Sequence, residues 1–261
     1  MTNNTLRPVI VLPGAPRLHL HRETHNSVES TSDPTLSPVG VDLGDGLILD
    51  TLGNIGLIVP EAMGQDWSTV DSFSEARIKE ESPLGSEFNL KQHGNTMDVD
   101  NADFGAEDFH IKSHGENVTS IEPQNWGSAP IIVTRHEDDI YIDNTAFGAT
   151  DHRIRRKDGK IFIESKGYGS TRVAIQASPE RLRVHNGDPI GGNFEAVSRG
   201  SVIYGRSSSW AGQHFTITQN EGGATVDNRD LETDYEISRG DKQAHVDADS
   251  YLDSDYRINW K

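Results

Sequence analysis

The chain has 261 residues, with 41 Asp and Glu against 24 Lys and Arg, and a formal charge of −17. A field of that sign repels phosphate backbones and anionic lipid, so nucleic acid and membrane surfaces are poor partners. The absence of cysteine excludes disulfides, thiolate metal sites and cysteine nucleophiles.

The surface acidity fits two readings, adaptation to a salt-rich medium or an ordinary soluble surface. No apolar run approaches the length of a membrane span. The run from Val9 to Leu12 stops at Pro13-Gly14, too short for the core of a signal peptide. The expected location is the cytoplasm, or an assembly built there, without membrane insertion.

Short runs rich in Val, Ile, Thr and Phe, punctuated by Gly, Pro, Asn and Asp, mark an all-β chain. In the first segment, residues 1–85, the runs Val9 to Leu12, Leu18 to Leu20, Leu47 to Leu49 and Ile55 to Val59 read as strands. Glu23 to Pro38 reads as a polar loop or arm. One short helix is expected over Ser68 to Glu81, with Ser68 as cap, Asp71 three residues on, and Phe73, Ala76 and Ile78 on one face.

Beyond residue 85 the chain repeats itself. Val99-Asp100-Asn101-Ala102-Asp103-Phe104-Gly105 returns 43 residues later as Ile142-Asp143-Asn144-Thr145-Ala146-Phe147-Gly148, with fainter copies at Val226-Asp227-Asn228 and at Asp255-Tyr256-Arg257-Ile258. The unit is a strand ending in Asp-Asn, a tight loop, and a strand opening with Asp and an aromatic residue. Asp and Asn suit such loops because their side chains bond nearby backbone amides.

The second copy lies in a longer pattern. Ile131-Ile132-Val133-Thr134-Arg135 is followed by Asp138-Asp139-Ile140, by Ala149-Thr150-Asp151-His152-Arg153, and by Gly167 to Val173. Next come Leu182 to Gly187, Gly200 to Gly205 and His214 to Thr218. In order and spacing this run resembles the forkhead-associated (FHA) domain over residues 129–219, with a partial copy at 86–128 and a β-rich tail at 220–261.

The resemblance implies an FHA-like β-sandwich that binds phosphothreonine peptides on loops at one end. Arg135 would pair with phosphate, and Thr150, Lys166, Ser170 and Arg172 would assist. His152, Asn144 and Asp143 would shape the loop. The chain departs from the family at Ala149, where the phosphate-binding Ser would stand, and at Gly169, near the peptide-binding Asn, so the site is degraded.

Asp247, Asp249, Asp253 and Asp255 form the densest acidic cluster. Calcium is the ion that such hard oxygen ligands would take, and a solvated acidic turn is the competing reading. There is no phosphate-binding P-loop, nucleophile elbow or paired-histidine zinc motif, so no cofactor and no catalysis are expected. The functional expectation is a protein–protein interaction module that reads phosphopeptides through the degraded site. The alternative is a structural subunit of a virion, tail or surface complex, with copies of itself as partners.

Overall fold

The structure, a computed structural model, describes residues 6–21, 29–31, 37–82, 85–102, 107–125, 128–146, 149–166, 172–187, 192–208, 214–228, 233–249 and 254–261. The first seven strands are β1 (Arg7–Val11), β2 (Arg17–His21), β3 (Glu29–Thr31), β4 (Val39–Gly44), β5 (Leu47–Asp50), β6 (Ile55–Ile58) and β7 (Thr69–Val70). They form one antiparallel sheet in the order β3-β2-β6-β5-β4-β1-β7. A four-residue helix, α1 (Val59–Ala62), follows β6, with a proline in its first turn. The polar segment Glu23 to Pro38 lies mostly outside the described residues.

The rest of the chain is a meander. Its strands are β8 (Glu75–Glu80), β9 (Glu87–His93), β10 (Thr96–Asn101), β11 (Phe109–Ser113), β12 (Val118–Pro123) and β13 (Ile131–His136). They continue as β14 (Asp139–Asn144), β15 (Asp151–Lys157), β16 (Lys160–Lys166), β17 (Arg172–Ala177), β18 (Arg181–Asn186) and β19 (Phe194–Arg199). The last are β20 (Val202–Ser207), β21 (His214–Asn220), β22 (Gly223–Asn228), β23 (Tyr235–Arg239), β24 (Gln243–Ala248) and β25 (Tyr256–Trp260). Each pairs antiparallel with the next, and β25 closes on β8, with Ile258 opposite Ile78. The result is a closed barrel of 18 strands.

Period-2 patterning builds the wall. In β18, Leu182, Val184 and Asn186 are buried while Arg181, Arg183 and His185 are exposed. Inward residues meet their like across the ladder: Ile111 faces Ile121, Ile121 faces Ile131, and Ile154 faces Ile163. Hairpin turns line one rim. Asp158-Gly159, both at positive φ, form a two-residue turn between β15 and β16, the conformation that matches strand twist. Asp158, Pro179 and Gly200 stand 21 residues apart at successive turns. The true repeat is therefore one hairpin, and the 43-residue echo spans two.

A barrel of this strand number encloses a lumen wider than its own side chains can fill. Here the N-terminal sheet occupies it. At the turn rim, the Arg135 and Arg156 guanidinium groups both donate to the Leu43 carbonyl, at 3.2 and 2.8 Å, and Arg239 donates to the Asp66 carbonyl at 2.8 Å. At the other rim, Gly14 lies against the Tyr235 ring and Gly53 against Ile131 and Asn144. The contacts come from β13 to β15 and from β23, on opposite sides of the ring. Every residue of β5 and β6 is buried, as expected for strands covered on both faces. Inner sheet and wall share one hydrophobic core.

Two expectations are corrected. Residues 129–219 do not form an FHA-like sandwich: β13 to β21 are successive neighbours in a single wall. Alternating short strands and turns are common to both architectures, and the closure between β8 and β25 is a contact that no local motif announces. The helix expected over Ser68 to Glu81 is β7 and β8 instead. Ala76 and Ile78 are buried between exposed Glu75, Arg77 and Lys79, a period of two rather than 3.6. The short helix of this chain is α1.

Outward wall positions carry charge, opposite to the apolar outer band of a membrane barrel. Among the described residues no helix is long and apolar enough to cross a membrane.

Asp50, at the end of β5, is 2% exposed. It accepts the backbone N–H groups of Leu52 and Asn54 and the Asn54 side-chain amide, at 2.9, 2.8 and 3.0 Å. Burial pushes its carboxyl above the ordinary range despite these bonds. A carboxyl raised in the fold stabilises it while protonated, below the unfolded pKa of about 4, and that contribution is lost as pH rises through the folded value. Asp50→Asn removes the buried charge. Its melting temperature relative to wild type should therefore climb between pH 4 and pH 7. A difference that does not change with pH would count against this account.

Candidate interaction surface

The outer wall segregates its charge. Residues 151–206, which span β15 to β20, hold eleven Lys and Arg against six Asp and Glu, in a chain that is acidic overall. Strand alternation aims many of these basic side chains outward, and arginines outnumber the carboxylates they touch.

Glu195 on β19 meets Arg181 at 2.9 Å, Arg183 at 3.2 Å and Arg206 at 2.6 Å. Hydrogen bonds from Arg206 and Arg183 hold its carboxyl below the ordinary range. The three arginine side chains remain 49%, 55% and 72% exposed. Their forks are thus available to a further planar acceptor. On β16, Glu164 is shared by Arg155 and Arg172. Arg172 also lies over the Phe162 ring at 4.7 Å, and Arg153 over the Tyr141 ring at 5.2 Å. Tyr204 on β20 is 43% exposed.

The residues that sequence reasoning selected are split between the two rims, with Arg135 apart from Thr150, Lys166 and Arg172. Arg135 points into the lumen near the turn rim and is 6% exposed. Burial lowers its pKa, with the neighbouring Arg156 adding to the effect. Its Nε and Nη1 have no hydrogen-bond partner among the described residues. Thr150 is half-buried and Lys166 and Arg172 are exposed at the opposite rim, while Ser170 lies outside the described residues. His152 is buried on β15, with Ser165 Oγ at 3.1 Å from its Nδ1, and Asp143 is exposed. With the sandwich gone, the phosphate role that the resemblance lent to Arg135 has no structural support.

The repeated Asp-Asn motif has a structural use. The backbone N–H of Asn144, at the end of β14, donates to Asp151 Oδ1 at the start of β15. Asn101 does the same to Asp108, Asn186 to Asn193, Asn228 to Asp234, and Ala248 to Asp255. Each clamp closes one of the longer loops at the rim opposite the turns. Asp255 is thus engaged with backbone, Asp247 lies 3.3 Å from His245, the Asp249 N–H donates to the Asp234 carbonyl, and Asp253 lies outside the described residues. Among the described residues, no three His, Asp or Glu side chains converge as a metal site would require.

A cleft of about 940 Å³ opens at the turn rim, between the inner sheet and the turns after β13, β15 and β17. Two ion pairs lie among its lining residues. Arg156 Nε binds Asp45 at 2.6 Å and Arg7 binds Asp71 at 2.9 Å. Asp42 accepts the Gly44 N–H at 2.7 Å, and Glu61 accepts the Thr69 and Ser68 hydroxyls at 2.8 and 3.1 Å. Burial raises both carboxyls. Of these contacts, Arg156 to Asp45 joins the wall to the inner sheet, and the others brace the N-terminal segment itself.

Sequence reasoning missed the basic sector because charge was summed over the whole chain. A window of five or six strands would have found it. No protein-family model, curated protein or solved structure matches this chain.

Proposed function

We propose that the chain is a non-catalytic interaction protein that serves as a building block of a larger assembly and binds through the outer wall of its barrel. The observation that carries this reading is the excess of exposed arginine over carboxylate on β15 to β20, in a chain of net charge −17. The lumen is filled by the inner sheet, which leaves the outer wall as the broad surface on offer. Guanidinium groups fixed on a rigid sheet favour an acidic protein surface, since their forks match carboxylates.

Light scattering across protein concentration, in low and in molar salt, tests this. The expected result is a mass above 28.7 kDa that grows with concentration and falls as salt screens the charges. A concentration-independent monomer in both media would refute assembly.

A further inference from the structure

We infer that the partner is a second copy of this chain, docked about a two-fold axis running along β21. The inference rests on the assembly reading above.

The outward positions of β22 to β24 carry Asp227, Glu236 and Asp247 and no Lys or Arg; Arg239, at the end of β23, donates to the Asp66 carbonyl. This acidic sector is separated from the basic one by a single strand. The outward positions of β21 are His214, Thr216, Thr218 and Asn220, with no acidic or basic side chain apart from the histidine. Around the wall the order is therefore basic, neutral, acidic.

A two-fold axis parallel to β21, lying in the contact plane, exchanges left and right. It sets the basic sector of each copy on the acidic sector of the other, twice in one interface. An axis perpendicular to the strands would set basic on basic and acidic on acidic, so the charges select between the two. Such an isologous contact closes at two copies.

The acidic sector carries an internal cost that docking would relieve. Glu236 and Asp247 stand directly opposite each other on β23 and β24, and both are exposed. Like charges facing across a ladder destabilise it. Among the described residues Asp227 and Glu236 make no ion pair, while Arg206, on the other side of β21, is the most exposed of the three arginines on Glu195. The two sectors are built from strands of one spacing, about 4.8 Å, so rows of charge on one copy match rows on the other. At the axis, Thr216 Oγ1 is buried without a hydrogen-bond partner among the described residues.

A nucleic acid would also seek arginine. It would want a run of bare aromatic faces on which to stack bases; those of Phe162 and Tyr141 are covered by Arg172 and Arg153, which leaves Tyr204 as the exposed ring among the described residues of the sector. The acidic sector of the same wall offers the complement without that demand.

The test is charge reversal, read by light scattering of the full chain in low salt, with circular dichroism and melting as controls for folding. Wild type should be a dimer. Arg183→Glu with Arg206→Glu should weaken it more than about a hundredfold, because like charges then meet. Glu236→Lys with Asp247→Lys should do the same. An equimolar mixture of the two double variants should restore a dimer of wild-type mass. A wild-type oligomer indifferent to both reversals would overturn this interface and leave the assembly reading standing. A wild-type monomer at all concentrations would overturn both. Tight binding of single-stranded DNA by a monomer would assign the basic sector to a polyanion and overturn the inference.

Discussion

Removal of residues 1–72 is expected to leave the wall strands without a native fold. Inward residues such as Leu90, Ile111, Val133, Ile154 and Ile237 are at most 1% exposed in the intact chain, and they share one core with the inner sheet. Exposing an aliphatic side chain of this size costs about 1.5–3 kcal/mol. Ten of them would forfeit roughly 15–30 kcal/mol, more than the 5–15 kcal/mol by which ordinary domains are stable. The truncated chain should be insoluble, or should bind hydrophobic dyes and lose its near-ultraviolet dichroism. The full chain should melt in a single transition, wall and inner sheet together. A soluble truncated chain with a sharp melt would mean that the wall can collapse on itself, and that the inner sheet is a passenger.

The second large effect is expected from Gly223→Ala, at the start of β22. A methyl group there would overlap the backbone carbonyl oxygen of Ile237 on β23. No rotamer relieves a clash with backbone, so the ladder between β22 and β23 would have to part. The cost should exceed about 3 kcal/mol, at or beyond the usual range for overpacking. For a chain of this size that lowers the melting temperature by roughly 6–12 °C. Gly94→Ala is the control. Gly94 has φ +60° with open space around it, so only the left-handed conformation is penalised, by about 1–2 kcal/mol. If both variants melt alike, the close approach of β22 and β23 is not what makes Gly223 necessary.

The strands were legible in the sequence and their arrangement was not. Val9 to Leu12, Leu47 to Leu49 and Ile55 to Val59 fall in or beside β1, β5 and β6, because apolar β-branched runs between turn residues leave little else to form. The alternation in Arg181-Leu182-Arg183-Val184 fixes which face is wet. Nothing in those residues says whether β13 and β20 face each other across a sandwich or stand seven places apart around a ring. That depends on Ile258 meeting Ile78, a pairing across most of the chain. The capping signal at Ser68 points to a helix through Ala76 and Ile78, and the period of two in the same residues is what the structure follows.

The Asp-Asn repeat is legible as a loop device, and the structure shows the bond that closes it, with Asp151 accepting from the Asn144 backbone. Arg135 was read on a loop end and sits in the lumen, since a fold resemblance supplied its direction. The basic sector is spread over six strands, and neither the repeat nor the FHA-like run groups its arginines; only their shared face gathers them.

The seam between β8 and β25 governs how such a wall is made. Strand β8 emerges first of the wall strands and its closing neighbour β25 after the other sixteen, so one edge stays open while the other hairpins zip in turn. Pairings of such sequence separation are slow to form, and an open edge invites pairing with another chain. The seam is thus the step at which folding competes with aggregation. Backbone amides of β25 should exchange with solvent before those of β13 once the ring begins to breathe.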